Sequence, residues 1–330
     1  MRYALALILA GGLAACSPPP EETPPVEDAA AETEAVETEE AEEAPAAPPG
    51  TDIYTYFLSW TDGQPSLGDA LAVVGSPGYD NQPFFLGEDE SGSIAMVYTS
   101  ADESGETDIW YRELTGGETW RVTETPTASE YSPRIQPGGG YSYIYQPPGG
   151  YAGHAYIEEF DYENNRRVPQ PAHDLAPVGY YVFSPDLRHV AVFALGEPNT
   201  LQLIDRSTEP ETVTHIIDNP GRTLMKTHGG SVAWFSSADA DGNHTVSVLD
   251  FESGGSEALF PLPAGSQDFA PVDLGEGAIG FFSTDNGQLV FRDPANDWTA
   301  IADLDALGLT GVTRIAVNWD LSVIAIVAEE

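Results

Sequence analysis

The chain of 330 residues holds one lysine, Lys226, and one cysteine, Cys16. A lone cysteine cannot form an internal disulfide, and it leaves no paired thiolates for a structural zinc site. Basic residues number 12 against 53 acidic ones, a formal net charge of −41. A surface of that sign repels nucleic acid and anionic headgroups at long range, so no nucleic-acid partner is expected. The acidity also suits a saline habitat, where solvated carboxylates keep a surface soluble. No stretch after Cys16 approaches the roughly twenty apolar residues of a membrane-spanning helix. From Thr51 onward no segment sustains a helical period. The histidines (His154, His173, His189, His215, His228 and His244) never fall at H-x-x-x-H spacing. The G-x-S-x-G nucleophile elbow is missing too, since Gly229-Gly230-Ser231 has no glycine at the required place. The usual templates for hydrolytic chemistry therefore fail.

What is present begins with Met1-Arg2-Tyr3 and an apolar run from Ala4 to Ala15. A short positive segment before about a dozen apolar residues is the pattern of a cleaved export signal. The run ends Leu13-Ala14-Ala15-Cys16 and resembles the lipobox of bacterial lipoproteins. That resemblance implies residues 1–15 as signal peptide, a diacylglyceryl group (palmitate-type acyl chains) on the Cys16 sulfur, and a membrane anchor facing the periplasm. An ordinary secretory signal with an incidental cysteine is the alternative. Ser17, where an aspartate would favour inner-membrane retention, leans the reading towards the outer membrane. Residues 16–50 follow as a Pro-, Ala- and Glu-rich tether without aromatic, Lys or Arg residues. Such a segment buries too little apolar surface to offset the entropy of ordering, and is read as a disordered spacer of about 30 Å reach.

Residues 51–330 carry recurring short apolar runs: Ile94–Tyr98, Tyr141–Tyr145, Val190–Phe193, Val232–Phe235, Ala278–Phe282 and Val323–Val327. They are β-branched or aromatic and bounded by Gly, Pro, Asp and Ser, which is strand composition with turn punctuation. Their spacing of about 45 residues is that of a four-stranded propeller blade. Turn sequences such as Ser104-Gly105-Glu106, Asp241-Gly242-Asn243 and Asp285-Asn286-Gly287 predict hairpins between strands. The reading is an all-β, six-bladed β-propeller. Its closing blade is shared by residues 51–77 and 310–330, so that N-terminal strands complete the C-terminal one and remove two free edges. A monomer is expected.

Phe183-Ser184-Pro185-Asp186 before Val190-Ala191-Val192 resembles the SPDG-type repeat of TolB-like (WD40-like) propellers. So does the line through Tyr98-Thr99-Ser100, Thr107–Trp110, Val122–Thr125 and Glu130–Pro133. The match fades after Arg222, where only the strand pattern persists. The resemblance implies the propeller fold, and a binding or scaffold role towards envelope proteins exercised through a funnel face.

Aligning the repeats on their second strand brings Asn81, Tyr131, Tyr180, Arg222, Asp268 and Arg314 to one end of the axis, where the innermost strands start. Asp80, Gln82 and Glu130 fall beside them. Arg, acid, amide and phenol groups around one mouth predict a site for an envelope protein or a small anionic ligand, with Arg recognising carboxylate or phosphate. Arginines that merely neutralise ring acids are the alternative. Two acidic loops, Glu88-Asp89-Glu90 and Asp239, Asp241 and Asn243, have oxygen ligands that could hold Ca2+ or could simply be polar hairpin tips. A calcium-dependent propeller hydrolase or lactonase, drawing on Asp80, Asn81, Glu130 and Asp268 inside the tunnel, is the rival to the binding module. No catalytic residue is assigned.

Overall fold

A computed structural model describes residues 50–87, 92–150 and 152–330. The export signal, Cys16, the tether and the Glu88-Asp89-Glu90 loop lie outside the described residues. No helix among the described residues is long and apolar enough to cross a membrane.

β1 (Thr51–Thr61) and β2 (Gln64–Val74) form a long hairpin turning at Asp62-Gly63, both at positive φ. Five consecutive sheets follow. The first is β3 (Asp80–Phe85), β4 (Ala95–Ala101), β5 (Thr107–Glu113) and β6 (Thr119–Arg121). The second is β7 (Ser129–Ile135), β8 (Tyr141–Gln146), β9 (His154–Asp161) and β10 (Arg166–Pro171). β11 (Val178–Phe183), β12 (His189–Ala194), β13 (Thr200–Asp205) and β14 (Thr212–Asp218) make the third. β15 (Pro220–Met225), β16 (Val232–Ala238), β17 (His244–Asp250) and β18 (Ser256–Pro261) make the fourth. β19 (Phe269–Asp273), β20 (Ile279–Asp285), β21 (Gln288–Arg292) and β22 (Thr299–Asp303) complete the fifth. β23 (Arg314–Val317) and β24 (Val323–Glu329) join the N-terminal hairpin in a sixth sheet, in the order β2-β1-β24-β23. Every sheet has four strands and every pairing between neighbours is antiparallel, so the fold is an all-β six-bladed propeller.

The burial pattern explains why the apolar runs are continuous rather than alternating. The second strand of each blade is covered on both faces by the neighbouring blades. β12 is buried at every position, and β24 at all but its last. The outermost strands β6 and β18 are mostly exposed. Apolar side chains gather into six clusters, one between each pair of adjacent sheets. The thinnest lies between the first and second sheets, where Val97, Ile109 and Tyr143 are the buried members. Tyrosines and a polar group centred on Glu130 fill the rest of that seam.

Local chemistry fixes the turns. Asn286-Gly287, with φ of 46° and 75°, joins β20 to β21 as a primed two-residue hairpin matched to strand twist. In the SPDG-type turn of the third sheet, Leu187 holds the left-handed slot at φ 62° where a glycine would be expected. Asp186 steadies it by accepting from Ser184 Oγ at 2.6 Å and from the Arg188 amide at 3.1 Å. Leu321 repeats that conformation in the closing sheet, where Asn318 Oδ1 accepts from the amides of Ser322 and Val323. The clasp runs from Thr51↔Glu329 to Phe57↔Val323. It is pinned by Trp60, whose indole donates to the Leu321 carbonyl at 2.8 Å and packs edge-on against Phe291 of the fifth sheet.

Candidate functional site: the axial channel

The innermost strands β3, β7, β11, β15, β19 and β23 surround the axis. At the end where they begin, two share a device. Gln82 and Ser132 each precede a proline, and each sits at positive φ (56° and 54°) inside a register shift of its strand. These bulges turn side chains towards the axis. Asn81 Oδ1 accepts from the Gln82 amide at 2.7 Å, and Gln82 Oε1 accepts from the Ser132 amide at 2.5 Å and from Thr99 Oγ1 at 2.9 Å. Gln82 thereby locks the first two blades together at the mouth.

Around that mouth Gln82, Tyr180, Arg222 and Arg314 line one small cavity with Ser132. The two arginines differ in their engagements. Arg222 makes a two-pronged ion pair with Asp268, its Nε 2.9 Å from Oδ1, and Thr223 Oγ1 adds a contact at 3.4 Å. Arg314 has no carboxylate partner among the described residues. Its Nε donates to Asn81 Oδ1 at 3.3 Å, its Nη2 lies 3.5 Å from the Tyr180 hydroxyl, and its guanidinium carbon stands 5.2 Å from the Tyr180 ring centre. Tyr131 meets the edge of Tyr79, with ring centres 6.4 Å apart. Burial pushes the Tyr79 phenol well above its usual range, and Arg314 and Arg222 nearby oppose that rise. Tyr79 is thus a third phenol at the mouth, absent from the sequence alignment because Asn81 filled its blade's slot.

The remaining sequence-selected residues turn elsewhere. Asp80 is buried and accepts from the Ser76 amide and hydroxyl at 2.6 and 2.7 Å. Glu130 is fully buried in its own seam, accepting from Thr125 Oγ1 at 2.5 Å and from Thr123 Oγ1 at 3.2 Å. With Asp268 held by Arg222 and Asn81 by Arg314, the four groups suggested for a tunnel cation do not converge. Asp239 is occupied by its own hairpin, taking the amides of Asp241 and Asn243 at 2.9 Å each. No cluster of three His, Cys, Asp or Glu side chains that could hold a metal exists among the described residues.

The larger space lies at the opposite end, where the innermost strands finish. A cavity of about 310 Å³ is lined by Phe84, Val182, Val272 and Val317 from four blades, with Arg134, Lys226 and His228. The polar heads of successive turns, Gln136, Ser184, Thr227, Asp273 and Asn318, ring it. Phe84, Arg134 and Met225 border both cavities and so form the partition between them. Arg134 Nη2 donates to the Leu224 carbonyl at 2.9 Å, and its guanidinium rests near the rings of Phe84 and Tyr181. At the outer rim the His228 imidazole stacks on Trp319 at 3.8 Å, joining the fourth and sixth sheets across the opening.

Neither protein-family models nor curated proteins give a match to this chain. Solved structures do. A protein assigned as TolB from Agrobacterium tumefaciens superposes with a TM-score of 0.58 at 12% identity, over 86% of this chain and 99% of that one. TolB from Acinetobacter baumannii gives 0.48 at 13% identity, over 87% of this chain and 65% of that one.

The fold is a TolB-like six-bladed propeller.

At such identities the likeness concerns the backbone alone, and the side chains that line the axis here have to be read on their own chemistry. The aligned second strands point to the leading end because the innermost strands start there, near the axis. The trailing ring was carried by the same repeats. Its markers are the turn heads of the SPDG-type sequences and the sole lysine, which stands directly before one of them.

Proposed function

We propose that this chain is a lipid-tethered binding module of the cell envelope, without catalytic activity, whose leading mouth takes an anionic group of an envelope protein. The observation that carries the reading is Arg314. In a chain with 53 acidic and 12 basic residues, it lies at the mouth stacked on Tyr180 and without a carboxylate partner among the described residues. An unpaired, half-buried guanidinium offers two parallel donors to an incoming carboxylate or phosphate. The three phenols beside it supply apolar area and hydroxyl donors at low entropic cost. Residue 51 pairs with Tyr79 and donates to the Asp80 carbonyl, so the described chain starts at this same end. The calcium-dependent hydrolase has no comparable support, because its four candidate ligands are engaged with separate partners.

Affinity capture from envelope extracts, followed by titration of the captured protein, tests the mouth. Arg314→Ala should weaken binding by about 1.5–3 kcal/mol, the range for hydrogen bonds to charged groups. Arg314→Lys should recover only part of it, since charge returns without the fork. Unaltered affinity in the alanine variant would remove the mouth from consideration. Arg222→Ala is the contrasting variant. It strands the Asp268 carboxylate and should cost about 2 kcal/mol of folding stability, visible as a lower denaturation midpoint. The tether is tested by metabolic labelling with a palmitate analogue, where Cys16→Ser should abolish incorporation and persistent label would refute the lipid anchor.

A further inference from the structure

We infer that the trailing cavity is a second binding site, for a small organic monocarboxylate with an apolar or aromatic body. It stands at the opposite end of the axis from the mouth that takes the partner, and it does not depend on that reading.

The cavity has the size and composition of a small-molecule site: concave, mostly apolar, with a few convergent polar groups. Its walls are Phe84, Val182, Val272 and Val317, and its inner end holds cations. Arg134 stands at the floor. Its Nε is buried without a partner among the described residues, and its Nη2 has only a backbone carbonyl. Lys226 stands beside it on the next blade but one, with no ion-pair partner among the described residues. Two cations facing one apolar space are costly unless an anion joins them. The strain shows in their titration. Burial and Arg134 together pull Lys226 below its usual range, while burial and Arg314 pull Arg134 down. Arg314, Arg134 and Lys226 therefore form a positive line along the axis of a strongly acidic protein. A carboxylate at the floor would pair with the Arg134 guanidinium and the Lys226 ammonium and relieve the repulsion.

The remaining features select among anions. Among the described residues Asp273 is the one acid bordering the cavity, and it lies at the outer ring of turn heads. A second negative charge reaching outward would meet that carboxylate, so a monoanion is preferred to a dianion. The body of the ligand would lie along the valines, and the stacked His228–Trp319 pair at the rim offers a flat surface to an aromatic or extended apolar tail.

Calorimetric titration of the full chain with 2-naphthoate tests the site, with 2-naphthamide as its neutral twin and naphthalene-2,6-dicarboxylate as the dianion. The carboxylate should bind at least about tenfold tighter than the amide, the margin a charge-assisted hydrogen bond provides. The dianion should bind more weakly than the monoanion. Lys226→Gln should cost about tenfold in naphthoate affinity, and Arg134→Met should cost more. Should Arg134→Met fail to fold, Lys226→Gln and a cavity-filling Val317→Phe still decide the matter, since both should reduce binding. Arg188→Gln, on the outer surface, should leave it unchanged. Equal affinity for naphthoate and its amide, no binding of either, or an unaffected Lys226→Gln variant would overturn the assignment. Arg314→Ala serves to separate the two sites: it should weaken capture of the protein partner by at least about tenfold while leaving naphthoate bound within about threefold, as expected of sites that share no ligand contact.

Discussion

Among individual residues, Glu130 shows most clearly how burial overrides sequence expectation. Its position at a strand start placed it at the mouth, but its carboxyl turned into the seam between the first two sheets. Burial, with the Asp108 carboxylate adding to it, pushes its pKa up to about 7. A carboxyl raised above its ordinary value stabilises the fold in its protonated form. The folded chain holds that proton between about 4.5 and 7, where the unfolded chain has released it. The contribution is full below that window and is lost as pH rises through it. Glu130→Gln, uncharged throughout, should therefore gain melting temperature relative to the parent at pH 8 but gain little at pH 4.5. Thermal melts at the two pH values check this, and an equal difference at both would contradict it. The arginines make the complementary point. Both Arg222 and Arg314 were legible as mouth residues from repeat alignment. That one is spent on Asp268 and the other is not depends on which neighbouring blade supplies an acid, and spacing along the chain does not carry that information.

At the level of strands, the pattern was largely legible. Runs such as Val323–Val327 are buried on both faces, so the sequence shows a continuous apolar block of strand length, flanked by turn residues. The outer strands were harder to place because they are short and exposed. β6 is only Thr119–Arg121, held by Trp120 stacked on Tyr111 and by the ion pair of Arg121 with Asp108. Bulges before Pro83 and Pro133 were invisible to strand reasoning, since a register shift leaves composition unchanged. The N-terminal hairpin is the element with the largest mechanical consequence. β1 supplies seven consecutive pairings to β24, and Tyr56 and Leu58 enter the apolar cluster shared with the fifth sheet. Deleting residues 51–74 should expose the β24 edge, empty part of that cluster and lower the melting temperature by well over about 10 °C, since several kilocalories of burial are lost. Deleting residues 17–49 should leave the melt unchanged. A melt indifferent to loss of the hairpin would mean that the ring is held closed by the other five seams alone.

At the scale of the propeller, a strongly acidic chain places basic groups along its axis. Arg134, Arg222, Lys226 and Arg314, four of its twelve basic residues, border the two axial cavities. Long-range repulsion from the acidic surface disfavours polyanions, while the two proposed sites would each take a single anionic group that is presented with apolar surface. Blade count and all-β class could be read from the 45-residue period. The division of the axis into a mouth and a separate trailing cavity could not, because it depends on Phe84, Arg134 and Met225 meeting from three blades. The central claim is that an envelope protein docks on the leading mouth. It is tested most directly by a photocrosslinking amino acid placed at Tyr131, which stands at that mouth, and in parallel at Tyr162, which is 87% exposed on an outer hairpin of the same blade. Irradiation of living cells should give a discrete crosslinked envelope protein from position 131, lost when Arg314→Ala is added, and none from position 162. Crosslinking from position 162 alone, or from position 131 regardless of Arg314, would contradict the account.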